Sequence, residues 1–166
     1  IVIMGTAGLG DGNVTPVAEF NIWQDAEAAK IVTESGLDNI IFVGWDACLG
    51  DCMLNPKEIK EIRESGKLGK FAIDCNKNLL EMNRERFGDD YLDMADPSAM
   101  SAALYPECIE KCEKYYCEVD VSAGPSYGAV LVDVNNVTGK EPNVYICSKL
   151  YADKYKEYIY RTLRVK

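Results

Sequence analysis

An amide, a carboxylate and a second amide lie on one short stretch near the start of the chain, at Asn13, Glu19 and Asn21. A carboxylate accepts hydrogen bonds from hydroxyl groups, and each amide both donates and accepts them. Such a set can hold a vicinal diol, which is the chemistry of sugar binding. The alternative is that the amides cap their own loop and Glu19 is a surface residue, and spacing alone favours that alternative.

A further carboxylate, Asp96, is followed directly by Pro97. Asp before Pro is typical of a helix start, with the aspartate as N-cap. The carboxylate also suits a hard cation such as calcium, although that ion takes about six to eight oxygen ligands. The residues by themselves therefore indicate a sugar- or metal-linked loop and go no further.

Composition excludes several other chemistries. Histidine is absent from the 166 residues, so Ser-His-Asp and Cys-His catalysis and His-ligated metal sites are excluded within this chain. The net charge of −9 argues against a nucleic-acid partner. No apolar run is long enough to cross a membrane, and the first residues lack the features of a signal peptide.

Seven cysteines in a chain without a secretion signal predict reduced, mostly buried thiols and a cytoplasmic location. A less favoured alternative is a zinc site that takes Cys48 and Cys52 together with Cys108 and Cys112.

The elements that must position these residues follow from hydrophobic pattern and turn signals. Apolar strands are predicted over residues 1–4 and 39–43, and later strands over 116–121, 129–134 and 143–147. Helices are predicted from Asp25 to Gly36, from Asn55 to Gly66, over 70–87, from Asp96 onward, and over 151–163. This order predicts one α/β domain over residues 1–166, a mainly parallel open sheet with flanking helices plus a small β section.

In such a sheet the ligand lies outside the carboxyl ends of the strands. The loop of Asn13, the segment Gly44-Trp45-Asp46 and the segment from Met94 to Pro97 all fall at such places. We therefore expect them to converge on one hollow.

Three stretches resemble the inosine-uridine preferring nucleoside hydrolase family, and the similarity extends over essentially the whole chain. They are IVIMGTAGLGDGNVTPVAEFNIWQDAEAAKIV, NIIFVGWDACLGDCMLNPKEI and MADPSAMSAALYPE. The resemblance implies hydrolysis of the N-glycosidic bond of ribonucleosides to ribose and free base, through an oxocarbenium-like transition state. It also implies a bound calcium that holds the 2′- and 3′-hydroxyls and the attacking water, with a nearby aspartate as the base.

Carried over by position, the resemblance assigns sugar-binding roles to residues of this chain. Asn13 and Glu19 would bind on the side of the 5′-hydroxyl, and Asn21 would bind the lower hydroxyls. Met4 would line the sugar pocket. Asp96 would be a calcium ligand that also reaches a ribose hydroxyl.

Two departures from the family pattern carry further expectations. The family's DxDxxxDD cluster, which supplies most calcium ligands and the catalytic base, would lie upstream. The chain then corresponds to the C-terminal portion of the fold, binds calcium weakly or not at all and is inactive alone.

Ala95 stands where many members carry a histidine thought to protonate the departing base. Trp45 and Tyr91 are candidates for contact with the base, and ordinary packing is the favoured alternative.

We also expect the chain to form a homo-oligomer or to associate with an N-terminal half, because a half-sheet exposes an edge. The competing hypothesis for function is a non-catalytic module that binds ribosides or a protein partner.

Overall fold

The computed structural model describes residues 1–165, in which helices and strands alternate before a β-rich second half. The strands are β1 (Val2–Met4), β2 (Ile41–Val43), β3 (Ile109–Tyr115), β4 (Cys117–Val119), β5 (Val130–Val132) and β6 (Val144–Leu150). The helices are α1 (Phe20–Gln24), α2 (Ala26–Thr33), α3 (Pro56–Glu64), α4 (Lys67–Asp74), α5 (Lys77–Phe87), α6 (Ala95–Leu104) and α7 (Ala152–Leu163).

The main sheet has the strand order β1-β2-β6-β3. Strands β1, β2 and β6 run parallel, and β3 runs antiparallel to β6 at the far edge. Met4 pairs with Val43, and Val43 pairs with Cys147, so the three parallel strands reach the same end of the sheet in register. Strands β4 and β5 form a separate antiparallel pair, which accounts for two of the three strands of the small β section expected from the sequence; the third belongs to the main sheet.

Two apolar clusters cover the two faces of this sheet, because neighbouring residues of a strand point to opposite faces. Val43 and Cys147 pack against residues of α3, α6 and α7. Phe42 and Ile146 pack on the other side against α1, α2 and the β4–β5 pair. The short central strands are therefore buried on both faces, as parallel strands require.

The cap at the start of α3 confirms the helix predicted at Asn55-Pro56. The Asn55 side chain accepts from the backbone N–H groups of Lys57 and Glu58, both at 3.0 Å, and the Glu58 side chain accepts from Asn55 N–H at 2.9 Å. This reciprocal arrangement is a capping box. The predicted cap of α2 is also present, since Asp25 accepts from Ala28 N–H at 3.0 Å.

Two predicted elements are wrong in detail. The single helix expected over 70–87 is two helices, α4 and α5, separated at Cys75 and Asn76. Asn76 leaves helical geometry, and its amide donates to the Ala72 carbonyl at 2.8 Å, so its side chain competes with the helix backbone. The predicted N-cap Asp96 lies instead in the first turn of α6, whose N-cap residue is Met94.

Strand β3 was not predicted at all. Register shifts around Lys111 break its period-two alternation, and a partly buried residue recurs at every third position instead of every second. Strand β6 begins one residue later than predicted and joins the main sheet between β2 and β3. Within residues 1–165, no helix combines the length and apolar character needed to cross a bilayer.

Candidate functional site

The turn after β1 is held by a carboxylate that follows β2. Asp46 Oδ2 accepts from the Leu9 N–H at 2.9 Å, and Oδ1 accepts no hydrogen bond from any residue in 1–165. Gly8 has φ +71°, and a Cβ at this position would lie 2.0 Å from Asp46 Oδ1. Only glycine therefore allows this approach. Burial raises the pKa of Asp46 to about 6, against the hydrogen bond from Leu9 that lowers it.

The amide–acid–amide set is built around the start of α1. Glu19 is the N-cap, and its carboxylate accepts from the Asn21 N–H at 3.0 Å and from the Ile22 N–H at 3.4 Å. Asn13 Oδ1 accepts from the Phe20 N–H at 2.8 Å. The Asn21 amide donates to Met4, at 3.0 Å to Sδ and 3.4 Å to the carbonyl oxygen. The self-capping alternative is thus present in part, and it fixes the side chains in place.

The Glu19 carboxylate is held in a buried position, since only 2% of the residue is exposed. Burial raises its pKa above the ordinary value, while the backbone N–H groups of Asn21 and Ile22 and the Asn13 side chain oppose that rise. A carboxylate surrounded by donors in this way is positioned before any ligand arrives.

All five residues assigned to the sugar line one cavity of about 470 Å³ at the carboxyl ends of β1 and β2. Asn13 and Glu19 come from the loop before α1, and Asn21 comes from α1 itself. Met4 comes from β1 and Asp96 from α6. Ala95 also lines this cavity. The expected convergence is thus present for the Asn13 loop and the segment from Met94 to Pro97, whereas only Trp45 of the segment Gly44-Trp45-Asp46 lines this cavity.

Asp96 is exposed, and its carboxylate makes no hydrogen bond or ion pair with the described residues 1–165. Its place in the first turn of α6 favours a negative charge. Calcium needs about six to eight oxygens. No group of three or more His, Cys, Asp or Glu side chains in residues 1–165 is arranged to hold a metal ion. The described residues thus offer one candidate calcium ligand and do not form a calcium site by themselves.

The same finding removes the zinc alternative, because the four cysteines at 48, 52, 108 and 112 form no metal-binding group within the part of the chain that the structure describes. The seven cysteines are all free thiols. Burial raises the pKa of the Cys52 thiol to about 11, which keeps it protonated near neutral pH.

A buried carboxylate that the sequence analysis missed forms the next wall. Asp93 is 6% exposed, and it accepts from the Trp45 indole N–H at 2.8 Å and from the Asn83 amide at 2.6 Å. The Asn83 amide also donates to the Tyr91 carbonyl at 3.1 Å. No local pattern marks Asp93, although its place between the buried residues Leu92 and Met94 is a signal that its side chain needs partners.

A second cavity of about 700 Å³ adjoins the first. Both are lined by the same five residues, Asn13, Phe20, Trp45, Leu79 and Asp93, so they form one continuous hollow. Of the two aromatic residues considered for contact with a base, Trp45 lies on this shared wall. Tyr91 instead presents its backbone to Asn83.

A hollow at the carboxyl ends of parallel strands, lined by amides, carboxylates and apolar side chains, defines a small-molecule site of an α/β protein. The family model described as inosine-uridine preferring nucleoside hydrolase matches residues 1–157. The pyrimidine-specific ribonucleoside hydrolase RihB of Escherichia coli (strain K12 / DH10B) is 35% identical over 147 residues, or 88% of this chain and 46% of that protein. The chain therefore belongs to the inosine-uridine preferring nucleoside hydrolase family.

Solved structures show the same fold. A purine-preferring ribonucleoside hydrolase from Gardnerella vaginalis superposes with a TM-score of 0.82 at 27% identity, over 99% of this chain and 52% of that one. A plant nucleoside hydrolase, PpNRh1, gives a TM-score of 0.87 at 24% identity, over 100% of this chain and 54% of that one. The chain thus spans about half the length of the relatives it matches.

Proposed function

We propose that this chain is the single-domain, C-terminal ribose-binding portion of an enzyme that hydrolyses the N-glycosidic bond of ribonucleosides. The observation that carries the proposal is the convergence of Met4, Asn13, Glu19, Asn21 and Asp96 on one cavity. Family membership supports the reaction class.

In this proposal Glu19 and Asn13 bind the 5′-hydroxyl side of the ribose. The backbone N–H groups at the start of α1 hold both side chains ready. Asn21 binds the lower hydroxyls through its amide oxygen, since its nitrogen donates to Met4. The Met4 thioether packs against the sugar. Little ordering is then needed on binding, which favours affinity.

Asp96 is proposed to bind a ribose hydroxyl and to serve as one calcium ligand among several, the others and the catalytic base lying outside this chain. When bound in such an enzyme, calcium supplies a positioned water that is easier to deprotonate. With the carboxylate of Asp96 alone, we expect the chain to bind calcium weakly or not at all. The thiols fit a reducing compartment, and we propose a cytoplasmic enzyme.

The sheet edge supports a proposal about partners. Strand β1 is an edge strand, and its residues Val2, Ile3 and Met4 are apolar. We propose that this edge pairs with another chain segment, either a second copy or the N-terminal half of the enzyme.

Calorimetric titration of ribose tests the sugar assignment. We expect the chain to bind ribose more tightly than 2-deoxyribose, and Asn21→Ala to weaken ribose binding about tenfold, the effect of one lost hydrogen bond in a positioned site. Asn135→Ala, a change at an exposed residue away from the cavity, is the matched control. Equal binding by the Asn21 and Asn135 variants would contradict the assignment.

Release of ribose from inosine and uridine tests the reaction. With added calcium, we expect no turnover by the 166-residue chain and turnover by a protein that also carries the upstream aspartate cluster. Brisk turnover by the chain alone would show that its own residues supply the base. Ribose binding without turnover in either protein would favour the alternative function, a non-catalytic riboside-binding module.

A further inference from the structure

Two cysteines lie directly opposite each other on neighbouring strands of the main sheet. Cys112 on β3 pairs in register with Cys147 on β6, and these two strands run antiparallel. Opposed residues of an antiparallel pair have Cα atoms about 4.5 to 5.5 Å apart and side chains on the same face of the sheet. A disulfide takes a Cα separation of about 4.4 to 6.8 Å. The register therefore holds these two thiols within the range in which a bond can form.

The burial of the two thiols differs. Both side chains belong to the apolar cluster that the sheet forms with α3, α6 and α7. Cys147 is fully buried there, whereas Cys112 is partly exposed on the edge strand. The pair is thus reached from outside through Cys112. Within residues 1–165, no other two cysteines face each other across paired strands.

The two thiols also differ in how readily they ionise. The neighbouring thiol of Cys147, a hydrogen-bond donor, lowers the pKa of Cys112 below its ordinary value. The neighbouring thiol of Cys112 and, after it, burial raise the pKa of Cys147. Because the thiolate is the form that attacks a disulfide, Cys112 is the thiol of the pair that reacts first.

Three other thiols of the chain lack this arrangement. Cys117 on β4 has Val132 opposite it, and burial raises the pKa of its thiol to about 12. Cys52 donates to the Leu150 carbonyl at 3.8 Å. Cys75 is exposed and lies outside the strands, at the junction of α4 and α5.

Strand β3 is the part of the main sheet that gains most from a covalent bond. It is an edge strand that pairs with β6 alone. Register shifts on both sides of Lys111 interrupt its ladder just before Cys112. A bond at Cys112 fastens the strand next to this interruption.

We propose that Cys112 and Cys147 form a reversible disulfide when the protein meets a low-molecular-weight disulfide, and that this bond fastens β3 to β6. In a reducing compartment, disulfides outside catalysis are typically transient and redox-sensing. The pair responds in this way whether or not the chain is part of a nucleoside hydrolase.

The exchange balances in two steps. The Cys112 thiolate attacks one sulfur of the small disulfide, whose S–S bond breaks and releases one small thiol. The Cys147 sulfur then attacks the Sγ of Cys112, loses its proton and releases the second small thiol. One S–S bond forms in the protein and one breaks in the small disulfide, and the two protons of the cysteines end on the two small thiols. The protein pair is oxidised by two electrons, and the small disulfide is reduced by two.

Peptide mapping after oxidation tests the pairing. The folded 166-residue chain is treated with oxidised glutathione, the remaining free thiols are alkylated, and the chain is cleaved with trypsin. Trypsin cuts after lysine, so the two cysteines emerge in separate fragments, Cys112–Lys114 and Glu141–Lys149. We expect these fragments to be joined in most of the product and to separate on reduction with dithiothreitol. A Cys112 that carries only glutathione or stays unmodified, or a Cys147 joined to another cysteine, would overturn the proposal.

Matched variants show whether the pair itself is responsible. Cys112→Ser should abolish the joined fragments, and Cys112→Ala should do the same if serine disturbs the fold. Cys75→Ser, the corresponding change at an exposed cysteine, should leave the joined fragments in place. Cys147 joined to a different cysteine in either Cys112 variant, with the same yield as in wild type, would show that the opposed register is not what directs the bond.

Thermal unfolding tests whether the bond fastens β3. The loop that it closes spans residues 112–147, and we expect the oxidised chain to have a Tm about 5 to 10 °C above that of the reduced chain. The difference should vanish in the Cys112 variants and persist in Cys75→Ser. An oxidised chain that carries the bond and melts at or below the Tm of the reduced chain would refute the fastening of β3.

Discussion

At the scale of single residues, three fully or partly buried carboxylates in and beside the site have different partners. Glu19 accepts from two backbone N–H groups, and Asp93 accepts from two side chains. Asp46 has one hydrogen bond from Leu9 and an oxygen without a partner in residues 1–165. Its ionised form is thus the least compensated, which explains why its pKa rises to about 6.

This difference predicts the sign of a pH effect on stability. The folded pKa of Asp46 lies above the ordinary 3.8, so the folded state binds more protons between about pH 4 and pH 6. The stabilisation of the folded state by protonated Asp46 is complete below about pH 4 and is lost as the pH rises through about 6. We expect it to amount to roughly 1 to 3 kcal/mol, allowing for the partial exposure of Asp46.

Urea unfolding at pH 4.5 and pH 7 measures the effect, with those two values chosen to bracket roughly the folded pKa. Asp46→Asn keeps an acceptor for Leu9 and should flatten the pH dependence. Asp51→Asn, at an exposed aspartate on the next turn, should keep it. If the Asp46 variant kept the same difference in unfolding free energy between the two pH values, other groups, such as Glu19, would dominate the pH dependence.

At the scale of elements, local chemistry decided what could be predicted. Helices α2 and α3 were predicted because their caps lie within a few residues, at Asp25 and Asn55. The break between α4 and α5 was missed, because it depends on one side chain, Asn76, that competes with the backbone. Strand β3 was missed because its bulge hides the alternation.

The α3 cap gives a prediction at this scale. Asn55→Ala removes the acceptor for two N–H groups and should lower the free energy of unfolding by about 1 kcal/mol. Asn78→Ala, at an exposed position inside α5, should be neutral or slightly stabilising, because alanine is the better helix former. Chemical unfolding measures the free energy of unfolding of both variants, and equal free energies would contradict the role of the cap.

The part of the candidate site that could be predicted is the part formed by residues that directly follow the strands of the sheet. Sheet topology places the ends of β1 and β2 side by side, so residues that follow them meet. The proposal that these residues bind a sugar rests on the similarity to a family, because spacing alone favours loop capping. The wall formed by Asn83, Asp93 and Trp45 was not predictable, because its hydrogen bonds join residues 10 and 48 positions apart.

At the scale of the whole molecule, the two edges of the main sheet differ in character. Strand β3 carries charged side chains such as Lys111 and Glu113, which protect an edge from pairing. Strand β1 carries none. Its backbone bonds to β2 through Ile1 O and Gly5 N–H, so in a parallel ladder the N–H of Val2 faces the open side.

This asymmetry predicts concentration-dependent association through β1. Val2→Pro removes an outward N–H and should shift the chain towards monomer in sedimentation velocity runs, while Val2→Thr should associate like wild type. A wild-type chain that stays monomeric at all concentrations, or a proline variant that associates equally, would exclude β1 as the contact.

The shared carboxylate at residue 93 has a consequence for mutagenesis of this family member. It ties helix α5 to the loop after β2 and lies three positions before Asp96 in the chain. A loss of function on changing Asn83 is therefore no proof that the amide meets substrate, since a displaced indole would produce the same loss. Substitutions at Trp45 and Asn83 should show energetic coupling. The free-energy loss of the double variant should be smaller than the sum of the losses of the two single variants.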